Sequence, residues 1–317
     1  MDKKSRVPEV SVIIPVFNLE TFLQEAVDSV MGQTFRDFEI ILVDDGSADR
    51  SHGIIESYRQ REPDRVRAIF QEHAGAAAAR NAGIEMARGE WIAFLDGDDS
   101  WMPVKLEIQL SEARRDPRLN LLSTAAEIAG ENRLLLEAIP AGDHVKLELL
   151  LKGCFITLSS VLIRKELLAD THFDETLPGA QDLDLYLRLA DRVRYRFMPE
   201  PLIRYRLREN AISDPRGSRH AQLNSHYRIL KREAQALAAA DLPLFLRHRK
   251  ELRAVMDRLA HEAAYYSLRS RTASRKERIA ASRIAIRQEP LRIKNYRFLL
   301  QALLPRRVDR AARRVRD

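Results

Sequence analysis

The chain has 317 residues, of which 45% are hydrophobic and 31% charged, an ordinary composition for a soluble globular protein of one large or two modest domains. Its single cysteine, Cys154, excludes an internal disulfide, and no apolar run reaches the roughly 20 residues that cross a bilayer. The net charge of +7 is local, because residues 283–317 carry eleven Lys and Arg against three Asp and Glu. With no signal-peptide core at the N-terminus, we expect a cytoplasmic protein, peripheral at most on the cytoplasmic face of the inner membrane.

The first hundred residues alternate strand and helix patterns. Strands are predicted at 10–17, 38–43, 66–70 and 91–95, and helices at 22–30, 49–61 and 75–87. This alternation predicts an α/β fold with a parallel sheet, helices on its faces, and ligands at the carboxyl ends of the strands. Neither G-x-G-x-x-G nor G-x-x-x-x-G-K-[ST] is present, which argues against a dinucleotide dehydrogenase and a P-loop ATPase.

Beyond residue 115 the pattern is looser. Strands are predicted at 119–128, 158–163 and 194–198, helices at 143–151 and 181–191, and Pro199-Glu200-Pro201 is expected to end the last strand. The polar loop 208–218 is the best domain boundary, and the chain after 219 reads as helix rich in Ala and Arg. We therefore predict a first domain over 1–212, with halves at about 8–115 and 116–207, and an all-helical basic extension over 213–317.

An acidic run stands where the fourth predicted strand ends. Asp96-Gly97-Asp98-Asp99 directly follows the apolar segment 91–95. Carboxylates this close repel one another, and a divalent cation such as Mn²⁺ or Mg²⁺ would neutralise them and leave positions open for phosphate oxygens. We expect Asp44-Asp45 and the Arg80-Asn81 pair to converge on the same edge of the sheet.

Four motifs in order resemble those of the family 2 glycosyltransferases, whose GT-A fold is a Rossmann-like nucleotide-binding sheet with flanking helices. They are V-S-V-I-I-P-V-F-N, F-E-I-I-L-V-D-D-G-S, A-A-R-N-A-G-I-x-x-A-R-G-E and F-L-D-G-D-D-x-W, and the resemblance covers residues 9 to about 206. It implies inversion at the anomeric carbon, a divalent metal and a nucleotide-diphospho-sugar donor, with a UDP-sugar favoured. It also implies a carbohydrate or lipid-linked acceptor in cell-envelope or polysaccharide synthesis. The first domain is then the catalytic domain, with a donor half and an acceptor half.

The resemblance implies roles for individual residues. Asp45 matches a position that accepts a hydrogen bond from a uracil-like N–H, and Arg80 matches one near the diphosphate, where a guanidinium suits phosphate oxygens. The donor nucleotide is expected to contact Pro15, Phe17, Asn18, Asp44, Asp45, Arg80, Asp96, Gly97 and Asp98. The metal is expected at Asp96, Asp98 and Asp99, the last two being favoured for the closest approach. His73, just before Ala74-Gly75, is expected to be structural or to line the donor site.

The segment that begins at Gln181 resembles the E-D-x-D-x-x-x-R motif of the family. Asp182 matches the catalytic general base, which takes the proton from the acceptor hydroxyl, and Asp184 is the next candidate. Gln181 stands where the family has Glu, so one acidic neighbour of the base is missing. Asp184 and Arg188 are four residues apart on a predicted helix and are expected to form an ion pair.

Two other classes of function match part of the sequence. A nucleotidyltransferase also gathers carboxylates and a metal on an α/β sheet, but the Gly-rich basic signature usual near its N-terminus is absent. A non-catalytic basic binding protein would use the tail, but Tyr296 and Phe298 are too few aromatics to stack bases, so nucleic acid is not expected as a partner. The interleaved apolar and basic residues after 283 predict either docking on an anionic membrane surface or packing on the catalytic domain.

Overall fold

A computed structural model of the protein describes residues 7–130, 134–135, 156–207 and 219–269, together with 276 and 279. The predicted helix at 143–151, the loop 208–218 with its domain boundary, and the basic tail 283–317 lie outside the described residues. The chain divides into two compact units. The first comprises Met1–Leu149, Gly153–Thr176 and Gln181–Leu207, and the second comprises the remaining residues.

Four parallel strands form one half of the sheet in the first unit. Strands β1 (Val10–Val16), β2 (Phe38–Asp44), β3 (Val66–Phe70) and β4 (Trp91–Phe94) alternate with helices α1 (Leu23–Met31), α2 (Ser51–Arg61) and α3 (Ala76–Met86). Every residue of β1, β2 and β4 is buried, as expected for central parallel strands with both faces covered. All seven elements begin and end within two residues of the predicted limits.

The other half of the sheet is mixed. It contains β5 (Ser100–Trp101), β6 (Leu121–Ile128), β7 (Leu134–Leu135), β8 (Leu162–Arg164) and β9 (Tyr195–Tyr205), with helices α4 (Lys105–Arg115) and α5 (Gln181–Leu189). The strand order is β3-β2-β1-β4-β8-β6-β9-β5, with β7 beside β6. The parallel sheet predicted for the first hundred residues is confirmed by β1 to β4, whereas in this second half β8 runs antiparallel to both β4 and β6, and β6 and β9 are parallel.

One predicted strand is mostly a turn. Of the strand expected at 158–163, Leu158–Ser160 instead forms a 3₁₀ turn that precedes β8. The backbone N–H and the hydroxyl of Ser160 both donate to the carbonyl of Thr157, at 2.9 and 2.6 Å. Serine side chains that bind neighbouring backbone groups in this way compete with strand pairing.

Strand β9 is longer than predicted, because Pro199-Glu200-Pro201 does not end it. Met198 pairs with Thr124 of β6, and Pro201 pairs with the next residue of β6, Ala125. The two residues between them, Pro199 and Glu200, therefore form a bulge. A bulge tolerates proline because its residues leave the ladder of backbone hydrogen bonds. The continuation of β9 to Tyr205 brings the next residue, Arg206, to the acidic run.

A lysine is completely buried at the beginning of α4. Nζ of Lys105 donates to Oε1 of Gln109 at 2.8 Å and lies 4.0 Å from the centre of the Trp101 ring. Because desolvation disfavours the charged form, burial lowers the pKa of Lys105 well below its usual value. The indole N–H of Trp101 donates to the carbonyl of Ser159 at 2.8 Å, which joins this buried group to the turn that precedes β8.

The second unit contains two long helices that pack against each other. They are α6 (Arg219–Ala240) and α7 (Leu242–Arg269). Their buried apolar residues include Leu223, Ile229, Leu230, Leu252 and Leu259. The helical character predicted after residue 219 is therefore confirmed as far as 269. None of the helices within the described ranges has a stretch long and apolar enough to cross a membrane.

Candidate active site

The carboxyl ends of β2, β1 and β4 meet at one edge of the sheet, because these strands are parallel neighbours. The predicted donor residues that follow the strands are brought together there. Two non-glycine residues have a strained backbone with a positive φ: Asn18, a predicted donor residue, at 53°, and Ala180, which belongs to the second unit, at 56°. No other non-glycine residue in the described part of the chain has a positive φ. Such strain concentrates at functional sites.

Asp44 and Asp45 are both buried and both hydrogen-bonded within the protein. Asp44 accepts the backbone N–H of the residue three positions ahead at 3.0 Å, which holds the turn after β2. The carboxylate of Asp45 accepts Nε2 of Gln71 and the backbone N–H groups of Ala74 and Gly75, each at 2.8 Å. Asp45 therefore anchors the segment that follows β3. Its hydrogen bond to a nucleobase stays a prediction.

An aromatic pair stands beside Asp45. Phe17, which is 43% exposed, stacks on the imidazole of His73 with ring centres 4.0 Å apart. Nδ1 of His73 lies 2.8 Å from Oδ2 of Asp45. Pro15 is buried within β1, and Oδ1 of Asn18 accepts a backbone N–H from the loop after β2 at 2.8 Å. The ends of β1 and β2 thus share one cluster with a flat, partly exposed aromatic surface.

The acidic run forms a tight turn, in which the N–H of Asp99 donates to the carbonyl of Asp96 at 2.9 Å. A Cβ at Gly97 would lie 2.7 Å from Cδ1 of Leu19, so a larger residue there would have to displace the end of that side chain. Asp96 and Asp98 are partly exposed, whereas Asp99 is only 2% exposed. Burial, and then the charges of Asp96 and Asp98, raise the pKa of Asp99 well above its usual value. The three carboxylates therefore have different environments.

Two residues that the sequence did not indicate hold this turn in place. The hydroxyl of the buried Ser159 donates to Oδ2 of Asp99 at 2.6 Å and accepts the N–H of Asp96 at 3.1 Å. The backbone N–H of Arg206 donates to Oδ1 of Asp99 at 2.9 Å, and Nε of Arg206 donates to the carbonyl of Asp98 at 3.0 Å. Nothing in the local pattern marks Ser159, and the only signal for Arg206 is its place at the end of the region of resemblance.

Arg80, on α3, connects the acidic turn to the helix that carries the predicted base. Its Nη2 lies 2.7 Å from Oδ1 of Asp96, and its Nη1 donates to Oε1 of Gln181 at 3.4 Å. Its guanidinium carbon stands 5.5 Å from the centre of the Phe173 ring. Nε of Arg80 is buried and has no hydrogen-bond partner among the described residues. Because a buried donor without a partner is costly, the described protein leaves this guanidinium incompletely satisfied.

The neighbouring Asn81 makes a second connection to the same region. Its side-chain amide accepts the backbone N–H of Phe173 and donates to the backbone carbonyl of Phe173, both at 3.0 Å. The Arg80-Asn81 pair therefore holds together the acidic turn, the segment at Phe173 and the beginning of α5. The predicted convergence of this pair with the acidic run is confirmed.

The predicted base, Asp182, is the second residue of α5 and is partly exposed. Its Oδ1 accepts the backbone N–H of Leu183 at 2.8 Å, and a carboxylate in the first turn is favoured by the helix dipole. Asp184 is completely buried and accepts Nε of Arg188 at 2.7 Å, which confirms the predicted ion pair. Asp184 is therefore less accessible to an acceptor than Asp182, and the choice of base stays a prediction.

The oxygen atoms available at the acidic turn can be compared with the ligands that the predicted metal prefers. Asp96 and Asp98 offer partly exposed carboxylate oxygens, the ligand type that Mn²⁺ and Mg²⁺ prefer. Across the described ranges of the chain, no three His, Cys, Asp or Glu side chains are grouped to hold a metal by themselves. Sites with one or two carboxylates are typical where phosphate oxygens and water complete the coordination of Mg²⁺. The residues present therefore fit a metal that binds together with a diphosphate.

Sequence comparison identifies relatives of the chain. The family described as Glycosyl transferase family 2 matches residues 11–170, about half of the chain. The amylovoran biosynthesis glycosyltransferase AmsB of Erwinia amylovora is 32% identical over 209 residues, which are 62% of this chain and 69% of AmsB. The chain spans only 64% and 52% of the length of two further glycosyltransferases that it matches.

Comparison with solved structures identifies the fold. S. aureus TarS 1–349 in complex with UDP-GlcNAc has a TM-score of 0.60 and 20% identity, with 91% of each chain covered. The mannosyltransferase PcManGT from Pyrobaculum calidifontis, in complex with GDP-Man and Mn²⁺, has a TM-score of 0.56 and 18% identity, with 94% of this chain and 86% of that chain covered. The predicted GT-A fold is confirmed. With this fold and the match over residues 11–170, the chain belongs to glycosyl transferase family 2.

Proposed function

We propose that the protein is an inverting glycosyltransferase that moves a sugar from a nucleotide-diphospho-sugar to an acceptor hydroxyl, with a divalent metal and with Asp182 as general base. Membership of the family supports sugar transfer as the reaction class. The family match ends at residue 170, before Asp182, so the role of the base rests on the motif around Gln181 and on the geometry of the site.

The contacts of Arg80 carry the proposal. One of its nitrogens pairs with Asp96 at 2.7 Å and another reaches Gln181 at 3.4 Å, so a single side chain spans the distance from the acidic turn to the residue before Asp182. In a single displacement the leaving diphosphate and the attacking hydroxyl lie on opposite sides of the sugar. A cation held between the acidic turn and the base can stabilise negative charge on the leaving group, and such stabilisation is usually the largest single contribution to catalysis.

In this proposal Asp98, with Asp96 beside it, holds the metal, and Asp99 supports the turn from inside. When bound, a divalent cation neutralises the diphosphate and makes it a better leaving group. The presence of Mn²⁺ in the PcManGT complex supports Mn²⁺ as the first metal to test.

The donor is proposed to be a nucleotide sugar whose base lies near Phe17 and Asp45. The TarS and PcManGT complexes contain UDP-GlcNAc and GDP-Man, which supports the class of donor but not one base. Our preference for a UDP-sugar rests on the position of Asp45. The carboxylate of Asp45 accepts from Gln71 and from two backbone N–H groups, and these bonds hold the segment that follows β3. Its remaining partner is the half-exposed imidazole of His73, which a uracil N–H can replace while that segment stays in place.

The acceptor hydroxyl is proposed to lose its proton to Asp182 as it attacks the anomeric carbon. A well-placed base contributes roughly 10²–10⁴-fold to the rate. The biosynthetic role named for AmsB supports a carbohydrate or lipid-linked acceptor in polysaccharide or cell-envelope synthesis. A cytoplasmic location and attachment to a membrane through residues 283–317 belong to the same proposal.

A panel of nucleotide sugars tests the function directly. Purified protein is incubated with UDP-, GDP- and other nucleotide-linked sugars, with Mn²⁺, with Mg²⁺ and with EDTA, and thermal stabilisation and donor hydrolysis are measured. We expect one donor class to stabilise the protein in a metal-dependent manner, because a ligand that binds only the native state raises Tm. Absence of stabilisation and hydrolysis by every donor, with either metal, would contradict the proposal.

A further inference from the structure

Arg206 connects the acidic turn to α1. Its backbone N–H donates to the carboxylate of Asp99 at 2.9 Å, and its Nε donates to the carbonyl of Asp98 at 3.0 Å. Its Nη2 lies 2.7 Å from Oε2 of Glu25 on α1, and the guanidinium carbon stands 5.0 Å from the centre of the Phe22 ring. A single arginine, directly after β9, therefore fixes the turn to the helix beside it.

The partners of Arg206 are themselves oriented. The hydroxyl of Ser100 donates to Oε1 of Glu25 at 3.1 Å, so the two oxygens of this carboxylate bind the residue after the acidic run and the arginine. Ser159 holds the inner side of the turn through Asp96 and Asp99. The backbone on both sides of Asp98 is thus held, while the Asp98 side chain is partly exposed.

We propose that Arg206 is a positioning residue for metal-dependent donor binding, because it sets the orientation of the Asp98 carboxylate by binding the Asp98 carbonyl and the Glu25 carboxylate together. This inference rests on the proposed function, in which Asp98 holds the metal. Residues that orient the ligands of a metal typically contribute 10–100-fold to its affinity without touching it. The inference assigns this role to a residue outside the D-G-D-D motif.

The chemistry of the arginine side chain explains why this residue suits the position. Nε and Nη2 are separate donors in one rigid plane, so they can bind the Asp98 carbonyl and the Glu25 carboxylate at a fixed angle. A lysine carries the same charge on a flexible stem and concentrates its donors on one atom. Arg206→Lys therefore keeps the charge near the site and loses the orientation, which separates positioning from simple electrostatic attraction.

The experiment measures the Mn²⁺ concentration at which UDP binding is half-maximal, by calorimetry on the full chain, together with UDP affinity in EDTA. The variants are Arg206→Ala, Arg206→Lys and Glu25→Gln. Arg204→Ala is the matched control, because it removes an exposed arginine two residues earlier and changes the net charge equally. If the donor panel selects a guanine nucleotide, GDP replaces UDP.

We expect the Mn²⁺ midpoint to rise about 10-fold or more in both Arg206 variants, to rise less in Glu25→Gln, and to stay at the wild-type value in Arg204→Ala. Affinity in EDTA should not change. Glu25→Gln should add nothing to Arg206→Ala, since the two residues act as one unit. The inference is overturned if Arg206→Ala has the wild-type Mn²⁺ midpoint. It is also overturned if Arg206→Lys has the wild-type midpoint while that of Arg206→Ala is raised.

The remaining outcomes are also decisive. An equal loss of UDP affinity with Mn²⁺ and in EDTA overturns the inference, because Arg206 would then act on the nucleotide or on the whole fold. If Arg206→Ala does not fold, Arg206→Lys and Glu25→Gln decide the question. Wild-type protein that binds neither UDP nor GDP with Mn²⁺ refutes the proposed function itself, whatever the variants do.

Discussion

Replacing Asp98 and Asp99 one at a time distinguishes a metal ligand from an internal support. Asp98→Asn and Asp99→Asn each replace one carboxyl group of the acidic turn with an amide and preserve the size of the side chain. The structure places Asp98 partly in solvent and Asp99 at 2% exposure, so the same chemical change should have different results. We expect Asp98→Asn to lose Mn²⁺-dependent affinity for UDP and Asp99→Asn to retain it.

The expected magnitudes follow from the hydrogen bonds of Asp99. An asparagine there can accept the Arg206 N–H through Oδ1 and donate to the Ser159 hydroxyl through Nδ2, so one hydrogen bond changes at most. Such a change is worth about 0.5–1.5 kcal/mol, which corresponds to roughly 1–6 °C in Tm for a unit of this size. Asp98→Asn instead removes a proposed ligand, so the loss of metal affinity should exceed the roughly 10–100-fold typical of an outer partner.

Calorimetric titration of Mn²⁺ and UDP into each variant, with thermal unfolding as a check of folding, measures both effects. Ser159→Ala is a matched control, because it removes one of the two hydrogen bonds to the Asp99 side chain and leaves its carboxyl group in place. The reasoning is refuted if Asp99→Asn loses Mn²⁺-dependent affinity as strongly as Asp98→Asn while both variants remain folded. In that case Asp99 contacts the metal, in agreement with the sequence-based preference for Asp98 and Asp99 as its closest ligands.

Three further predictions concern the base, the buried lysine and the tail. Asp182→Asn should lower transfer about 10²–10⁴-fold with UDP affinity unchanged, since a base acts on the acceptor; wild-type turnover would place the base elsewhere. At pH values between the lowered native pKa of Lys105 and its unfolded pKa of about 10.4, the unfolded chain binds more protons than the native protein. The free energy of unfolding of the wild type should therefore rise with pH, by up to about 1.4 kcal/mol per pH unit. Lys105→Met should show a flatter slope in urea unfolding, and equal slopes contradict the role of burial. Through residues 283–317, the full chain should sediment with anionic vesicles at low salt and be released at high salt. If a chain that ends at Gln288 sediments with the vesicles as much as the full chain does, the tail has no membrane role.

The parallel half of the fold could be predicted because its signals are local. Apolar runs of four to seven residues alternate with helical periodicity, and helix-covered strands are buried along their whole length, as β1 and β2 are. The same locality made the acidic run recognisable, since Asp96 follows β4 after a single further residue, Leu95. Topology alone then brings the ends of the three neighbouring strands together.

The supports of the acidic turn could not be predicted, because their partners are distant in sequence. Ser159 and Arg206 lie 60 and 107 residues from Asp99, and neither contact leaves a periodic signal. Each depends on an irregularity: Ser159 on a 3₁₀ turn where a strand was predicted, and Arg206 on the bulge that carries β9 past two prolines. The different environments of Asp98 and Asp99 follow from these contacts, so the sequence could not separate their roles.

Gln181 shows how a departure from the family motif can be explained by the same geometry. A glutamate at this position would place a second carboxylate against Arg80, which already pairs with Asp96 at 2.7 Å. Asp96 alone balances the charge of the guanidinium, so a second carboxylate would leave the group with a net negative charge, which disfavours a diphosphate nearby. Glutamine accepts from Nη1 at 3.4 Å without adding a charge. Arg80 therefore keeps its contact with the helix that carries Asp182 without a second anion beside it to repel the leaving group.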